Sequence, residues 1–154
     1  MVAENIIKGR IAGLIVSLML QESGYIVLRY GFEGVPEIIS QLGTLKKHKS
    51  LNLLRSTPQF VILDPKKETI LLSVRYQGER ASGRNVSRMA SELSDFWPYT
   101  CAILVRQKFP FFYLVDVGSD EKLTTTPLYK SKVIKVNEPT IKKYGILIRK
   151  FLNK

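Results

Sequence analysis

Few side chains in this 154-residue chain belong to the types that make or break bonds, and those few are far apart. Cys101 is the one cysteine and His48 the one histidine. A thiol nucleophile needs a base beside it, and only distant His48 is on offer. Cys101, inside the apolar run 100–105, therefore reads as a small buried residue. A single cysteine also excludes an internal disulfide framework and a cysteine-built zinc site, and fits a reducing, cytoplasmic compartment. No phosphate loop, dinucleotide fingerprint or histidine metal motif is present, so no small-molecule cofactor is expected. Cations are what the chain holds in quantity. Its 24 Lys and Arg outnumber 13 Asp and Glu for a formal charge of +11, which suits a polyanionic partner.

Those cations are unevenly placed. Residues 1–42 carry a net charge of −1, whereas residues 122–154 carry nine basic side chains and only Glu138, a net +8. Lys46, Lys47, Lys49 and Arg55 form a second basic stretch without an acid. Arg75, Arg80, Arg84 and Arg88 make a third, offset by Glu79 and Glu92. The spacing of four puts Arg84 and Arg88 on one helix face, with Arg80 approaching from a loop. Neutralising several phosphates releases counterions, so such a surface predicts salt-sensitive affinity for nucleic acid with little sequence preference. For the C-terminal lysines a merely solvated face fits equally well. Phe109, Phe111, Phe112 and Tyr113 could stack bases as single-strand binders do, although strand and turn packing accounts for them more simply.

The elements that must position these residues follow from hydrophobic spacing. Ile7, Ile11, Leu14, Ile15, Leu18 and Met19 predict a helix over 3–23, ended by Gly24 at the left-handed position. Its apolar run, residues 11–20, is half the length of a membrane span. A signal peptide is the rival reading, since Lys8 and Arg10 precede the run. Glu4, and Gln21-Glu22 where small residues belong, argue against cleavage. A strand over 25–30 comes next, then a mixed stretch over 34–56. Residues 59–63 and 69–76 read as strands joined by Asp64-Pro65-Lys66-Lys67-Glu68, a hairpin connection whose proline presets the turn. A helix over 85–96 ends before Pro98, with Trp97 against the core. Strands over 100–106 and 111–117 are apolar enough to pair across a dimer edge. A basic segment, 122–154, closes with a helix over 140–152. One α/β domain over 1–154 is expected.

Lys8-Gly9-Arg10-Ile11-Ala12-Gly13-Leu14, followed by Gly24-Tyr25-Ile26-Val27, looks like the first helix and strand of PD-(D/E)XK nuclease-like proteins. Thr57-Pro58-Gln59-Phe60-Val61-Ile62-Leu63-Asp64 and Leu72-Ser73-Val74-Arg75-Tyr76 resemble the hairpin of that superfamily. The resemblance covers roughly residues 3–106 and rests on motif order more than identity. It implies a three-layer, restriction-endonuclease-like fold with a mixed central sheet between helices. Active members carry an Asp on the first hairpin strand, an acid and a Lys on the second, and often a Glu on the first helix. The acids hold Mg²⁺ for phosphodiester cleavage. Here the corresponding positions read Gln59, Ser73, Arg75 and Gly13. Alternate strand residues share a face, so 73 and 75 point the same way with 59 beside them. An amide and a hydroxyl next to a permanent cation would hold Mg²⁺ poorly, but the same groups could grip a phosphate. The expectation is a catalytically silent, cofactor-free domain that binds nucleic acid, DNA above all, through Arg75, Arg80, Arg84, Arg88, Lys46, Lys47 and Lys49. Two alternatives stay open. One is a protein-interaction module on the same fold, with a homodimer as one form it could take. The other is a Mg²⁺ nuclease whose carboxylates have migrated, with Glu33, Glu37, Asp64, Glu79 and Glu92 as candidates. No membrane partner is expected.

Overall fold

A computed structural model describes residues 2–30, 57–78, 83–97, 100–117 and 123–153. Helix α1 (Val2–Glu22) buries Ala12, Ile15, Val16, Met19 and Leu20. It stops where two backbone bonds close a Schellman turn, from Tyr25 N–H to the Leu20 carbonyl (3.0 Å) and from Gly24 N–H to that of Gln21 (3.1 Å). Gly24 sits there at φ +92°, a region that penalises any side chain. Strand β1 (Ile26–Arg29) follows directly. Strands β2 (Phe60–Leu63) and β3 (Thr69–Tyr76) form the expected hairpin, in register Phe60 to Leu72. Its turn is held by Asp64, whose Oδ1 accepts the Glu68 N–H at 2.8 Å. Helix α2 (Gly83–Phe96) then crosses over to β4 (Thr100–Val105), which runs parallel to β3. Strand β5 (Phe112–Val117) returns antiparallel.

The sheet continues in chain order from β1 through β6 (Leu123–Pro127). The sixth strand lies in the segment read from sequence as a basic tail. Leu-Thr-Thr-Thr-Pro has no apolar alternation, and Thr and a terminal Pro suit an edge strand that one neighbour stabilises. A short 3₁₀ turn (Leu128–Lys130) leads to α3 (Glu138–Leu152). This helix begins two residues earlier than the apolar spacing suggests, because Asn137 caps it by accepting the Thr140 N–H at 2.9 Å and Pro139 sits in its first turn. The proposed dimer edge at 100–117 is corrected here: β4 lies between β3 and β5, and β5 between β4 and β6. Their main-chain groups are already paired within the sheet, and the edges among the described residues are β1 and β6.

Strand alternation gives the sheet two faces, each covered by helices. One face presents Phe60, Ile62, Leu72, Val74, Ile103, Val105, Phe112 and Leu114 to α1 and α3, in the larger apolar core. The other presents Ala102, Leu104 and Val115 to Val86 and Leu93 of α2. The result is a mixed sheet between helical layers. Helices α1 and α3 are tied at their surface by Glu22, which accepts Lys143 Nζ (2.8 Å) and the Tyr144 hydroxyl (2.5 Å). No helix among the described residues is long and apolar enough to cross a membrane.

Candidate nucleic-acid interface

Gln59 immediately precedes β2, and its side chain completes the end of the hairpin ladder. Its N–H bonds the Leu72 carbonyl (3.0 Å) and its Oε1 accepts the Val74 N–H (2.9 Å). Continuing the register by one residue sets Gln59 opposite Ser73. Ser73 and Arg75 point to the α2 face, away from Leu72 and Val74. Ser73 is fully buried, and its Oγ has no hydrogen-bond partner among the described residues; Arg75 is half-buried. Gly13 lies on the opposite face, where a Cβ would stand 3.7 Å from the Phe60 ring. The structure therefore gathers 59, 73 and 75 at one end of the hairpin and leaves 13 across the sheet.

This group does not fit the Mg²⁺ that the resemblance implies. The Gln59 oxygen is committed to a backbone N–H, the Ser73 hydroxyl is sealed from solvent, and Arg75 is a cation. Among the described residues no three His, Cys, Asp or Glu side chains converge on a point that could hold a metal. Asp64 belongs to the hairpin turn, and the side chains of Glu33, Glu37, Glu79 and Glu92 lie outside the described residues. Cys101 is buried beneath the α1 and α3 layer; burial, helped by the charge of Asp116, pushes its thiol up to about 11. A thiol so held is almost never a thiolate at neutral pH.

Of the basic candidates, Arg88 is exposed on α2, on the side turned away from Val86 and Ala90. Arg84 falls one turn earlier on the same helix, with its side chain outside the described set, as are Arg80, Lys46, Lys47 and Lys49.

The described cations that converge lie elsewhere. Strands β3 and β4 are parallel, so both end at one edge, and there the chain forms a half-open cleft of about 270 Å³ lined by Gln77, Arg106, Lys108, Phe109 and Tyr113 among others. Gln77 follows Arg75 by one pleat on the same face, and the register brings it beside Arg106. Its Oε1 accepts Arg106 Nε–H at 2.9 Å, while the guanidinium lies 4.5 Å above the Tyr113 ring. Gln107 anchors the loop, donating to the Tyr76 hydroxyl and to the Leu152 carbonyl, each at 2.7 Å. Phe111 takes φ +60° to turn its ring into the core.

Cations and rings alternate around this corner. Lys142 stands 5.7 Å from the Phe109 centroid, Arg149 5.1 Å from Phe111 and Lys130 5.6 Å from Tyr129. Phe109 stacks on Tyr129 at 5.8 Å. Such pairs hold aromatic faces and positive charge side by side. The sequence reading names Phe109 to Tyr113 but not Arg106, Lys108, Lys130, Lys142 or Arg149 as partners. The usable signal was Arg106-Gln107-Lys108 running straight into Phe109-Pro110-Phe111. Phe111 and Phe112 are buried as the packing explanation requires, while Phe109 packs against Tyr129 and Phe111 and still leaves 44% of its surface exposed. Set against known proteins, the chain matches no family model, no curated protein and no solved structure.

Proposed function

We propose that this chain is a nuclease-like domain of the PD-(D/E)XK kind that binds nucleic acid, DNA in particular, without cleaving it. The succession of helix, strand, hairpin, crossover helix and parallel strand supports the fold assignment. The observation that carries the function is the cation and aromatic corner at the carboxyl ends of β3 and β4, the end of an open α/β sheet where ligands characteristically bind. Arg106 is held by a neutral amide and a ring, so its charge is undiminished and its fork is fixed in direction, as phosphate recognition requires. With Gln59, Ser73 and Arg75 where active members of that superfamily keep acids and a lysine, these three positions offer no carboxylate for Mg²⁺, which supports binding without hydrolysis.

The test is fluorescence anisotropy with labelled DNA across a salt titration, beside plasmid nicking with Mg²⁺ or Mn²⁺. Binding that weakens steeply between about 50 and 200 mM salt, with the plasmid intact, is the expected result. Absence of binding at low salt sinks the reading, and metal-dependent nicking sinks its non-cleaving half. One observation favours the protein-interaction alternative: α1 exposes Ile7, Leu14 and Leu18 along one side, and α3 exposes Ile146 and Phe151. Scattered surface apolar residues are ordinary, and a row along one helix is less so. Should DNA fail to bind, sedimentation of the intact chain and of Leu14→Lys is the next experiment.

A further inference from the structure

Resting on the nucleic-acid reading, we propose that the cleft takes an unpaired nucleotide of a single strand, its base against Phe109 and its phosphate on Arg106. The cleft is small. About 270 Å³ falls just under the roughly 300–1,000 Å³ of ordinary ligand pockets, too little for a large cofactor but enough for one nucleotide unit with the strand continuing outside. None of the described residues that line it is acidic. Arg106 spends its Nε–H on Gln77 and keeps the donors of both terminal nitrogens, while stacking on Tyr113 fixes the plane in which they point.

Phe109 supplies the second half of the site. A phenylalanine beside buried Phe111 and Phe112 would be expected inside, yet its ring is 44% exposed at the cleft mouth. It is braced there by stacking on Tyr129 and by an edge contact of 6.2 Å with Phe111. A braced, exposed ring next to a fixed guanidinium is the arrangement on which single-strand binders stack a base while gripping its backbone. In a duplex the bases are already stacked and paired, so a ring set at a cleft of this size meets only sugar and phosphate. Lys142, whose exposed chain reaches over Phe109, would follow the neighbouring phosphate.

The experiment compares a fluorescein-labelled oligo-dT and an oligo-U with a duplex of equal length, using the full chain at low salt. Either single strand is expected to bind more tightly than the duplex. Loss of one base stack predicts about a 5- to 150-fold weaker single-strand affinity for Phe109→Ala, with the duplex hardly affected and Phe109→Trp restoring wild-type binding. Arg106→Lys keeps the charge and removes the fork, and should weaken both substrates. Equal affinity for single strand and duplex, or an unchanged Phe109→Ala with thermal unfolding like that of wild type, overturns the single-strand inference and leaves nucleic-acid binding standing. Failure of wild type to bind any of the three removes the underlying reading as well.

Discussion

Replacing Gly145 with alanine separates two opposed effects whose sign the structure decides. In an exposed helix, Gly→Ala should stabilise by about 1 kcal/mol. Gly145 is in α3 but buried, and a Cβ built there would stand 2.8 Å from Phe111 Cγ and nearer still to Cδ2 and Cε2. Carbon atoms attract at about 3.5–4.0 Å, so the ring or the helix must give way by close to an ångström. The ring has little room, with Phe109 on its edge, Phe112 tilted at 6.4 Å and Arg149 above it. Overpacking of this kind costs about 1–3 kcal/mol, and the boxed ring argues for the upper half of that range. Set against the helix-propensity gain, a net loss of about 1–2 kcal/mol remains. For a chain of this size that lowers Tm by about 2–8 °C, read by circular dichroism or calorimetry, with urea titration for ΔG. In a Phe111→Ala background the obstruction is gone, and Gly145→Ala should then stabilise by about 1 kcal/mol. A higher Tm for Gly145→Ala in the wild-type background would refute the close approach of α3 to Phe111, and with it the bracing assigned to Phe109.

Lys143, then the Tyr144 hydroxyl, holds the Glu22 carboxyl below its ordinary value of 4.5, so its contribution is present above that pH and lost as pH falls through the folded value. The Tm difference between wild type and Glu22→Gln should close on acidification; a constant gap would show that the carboxylate does not matter. The Tyr144 hydroxyl, donating to Glu22, is pushed up to about 12 from 10.0, so its contribution is full below 10 and disappears as pH rises through 12, a loss that spectrophotometric titration should track and that Glu22→Gln should move to lower pH. Cys101, raised to about 11 by burial, should resist iodoacetamide at mildly alkaline pH until the chain is denatured, as intact mass will show; rapid native labelling would contradict its burial. Ser73→Ala removes a buried hydroxyl that has no partner among the described residues and should raise stability by about 1 kcal/mol, whereas a loss of that size in urea titrations would reveal a bonded hydroxyl. Glu138 pairs with Lys142 at 2.8 Å on an exposed helix turn, so Glu138→Gln should strengthen DNA binding by a few-fold and cost less than about 1 kcal/mol; unchanged anisotropy would place Lys142 outside the contact.

The elements written in apolar residues were legible within two or three positions. Helix α1, the β2–β3 hairpin and strands β4 and β5 all carry side chains whose period matches the element, and the Asp64-Pro65 turn announced itself by type. Strand β6 was not legible, because three threonines carry no alternation and gain their pairing only from β5. The start of α3 depended on a single cap, Asn137, upstream of the periodic residues. The hairpin positions 59, 73 and 75 were singled out by the family resemblance and set on one face by strand spacing, whereas the accessibility of each was not legible. Spacing gives the face of a strand, and what covers that face is set by α2, some ten residues further along the chain. For the same reason the corner around Arg106 escaped. Its charges come from 106–108, 130 and 142–149, and only the docking of α3 beside the β4–β5 loop makes them neighbours.

A cation is useful to an incoming phosphate only in proportion to the charge its own protein leaves it. Lys142 has Glu138 and Lys143 has Glu22, so each offers a pair that is near neutral at a distance. Arg106 has Gln77 and Tyr113, which orient it and withdraw no charge. The difference originates on β3. Ser73, Arg75 and Gln77 share one face at successive pleats, and an acid at any of the three would have drawn Arg106 or a metal into a local pair. Gln77, neutral and buried, takes the Nε–H of Arg106 without withdrawing its charge, and so leaves that charge at the open end of the sheet. On the proposed reading, the residues that leave the hairpin without a carboxylate and the one that orients Arg106 belong to a single row, from 73 to 77.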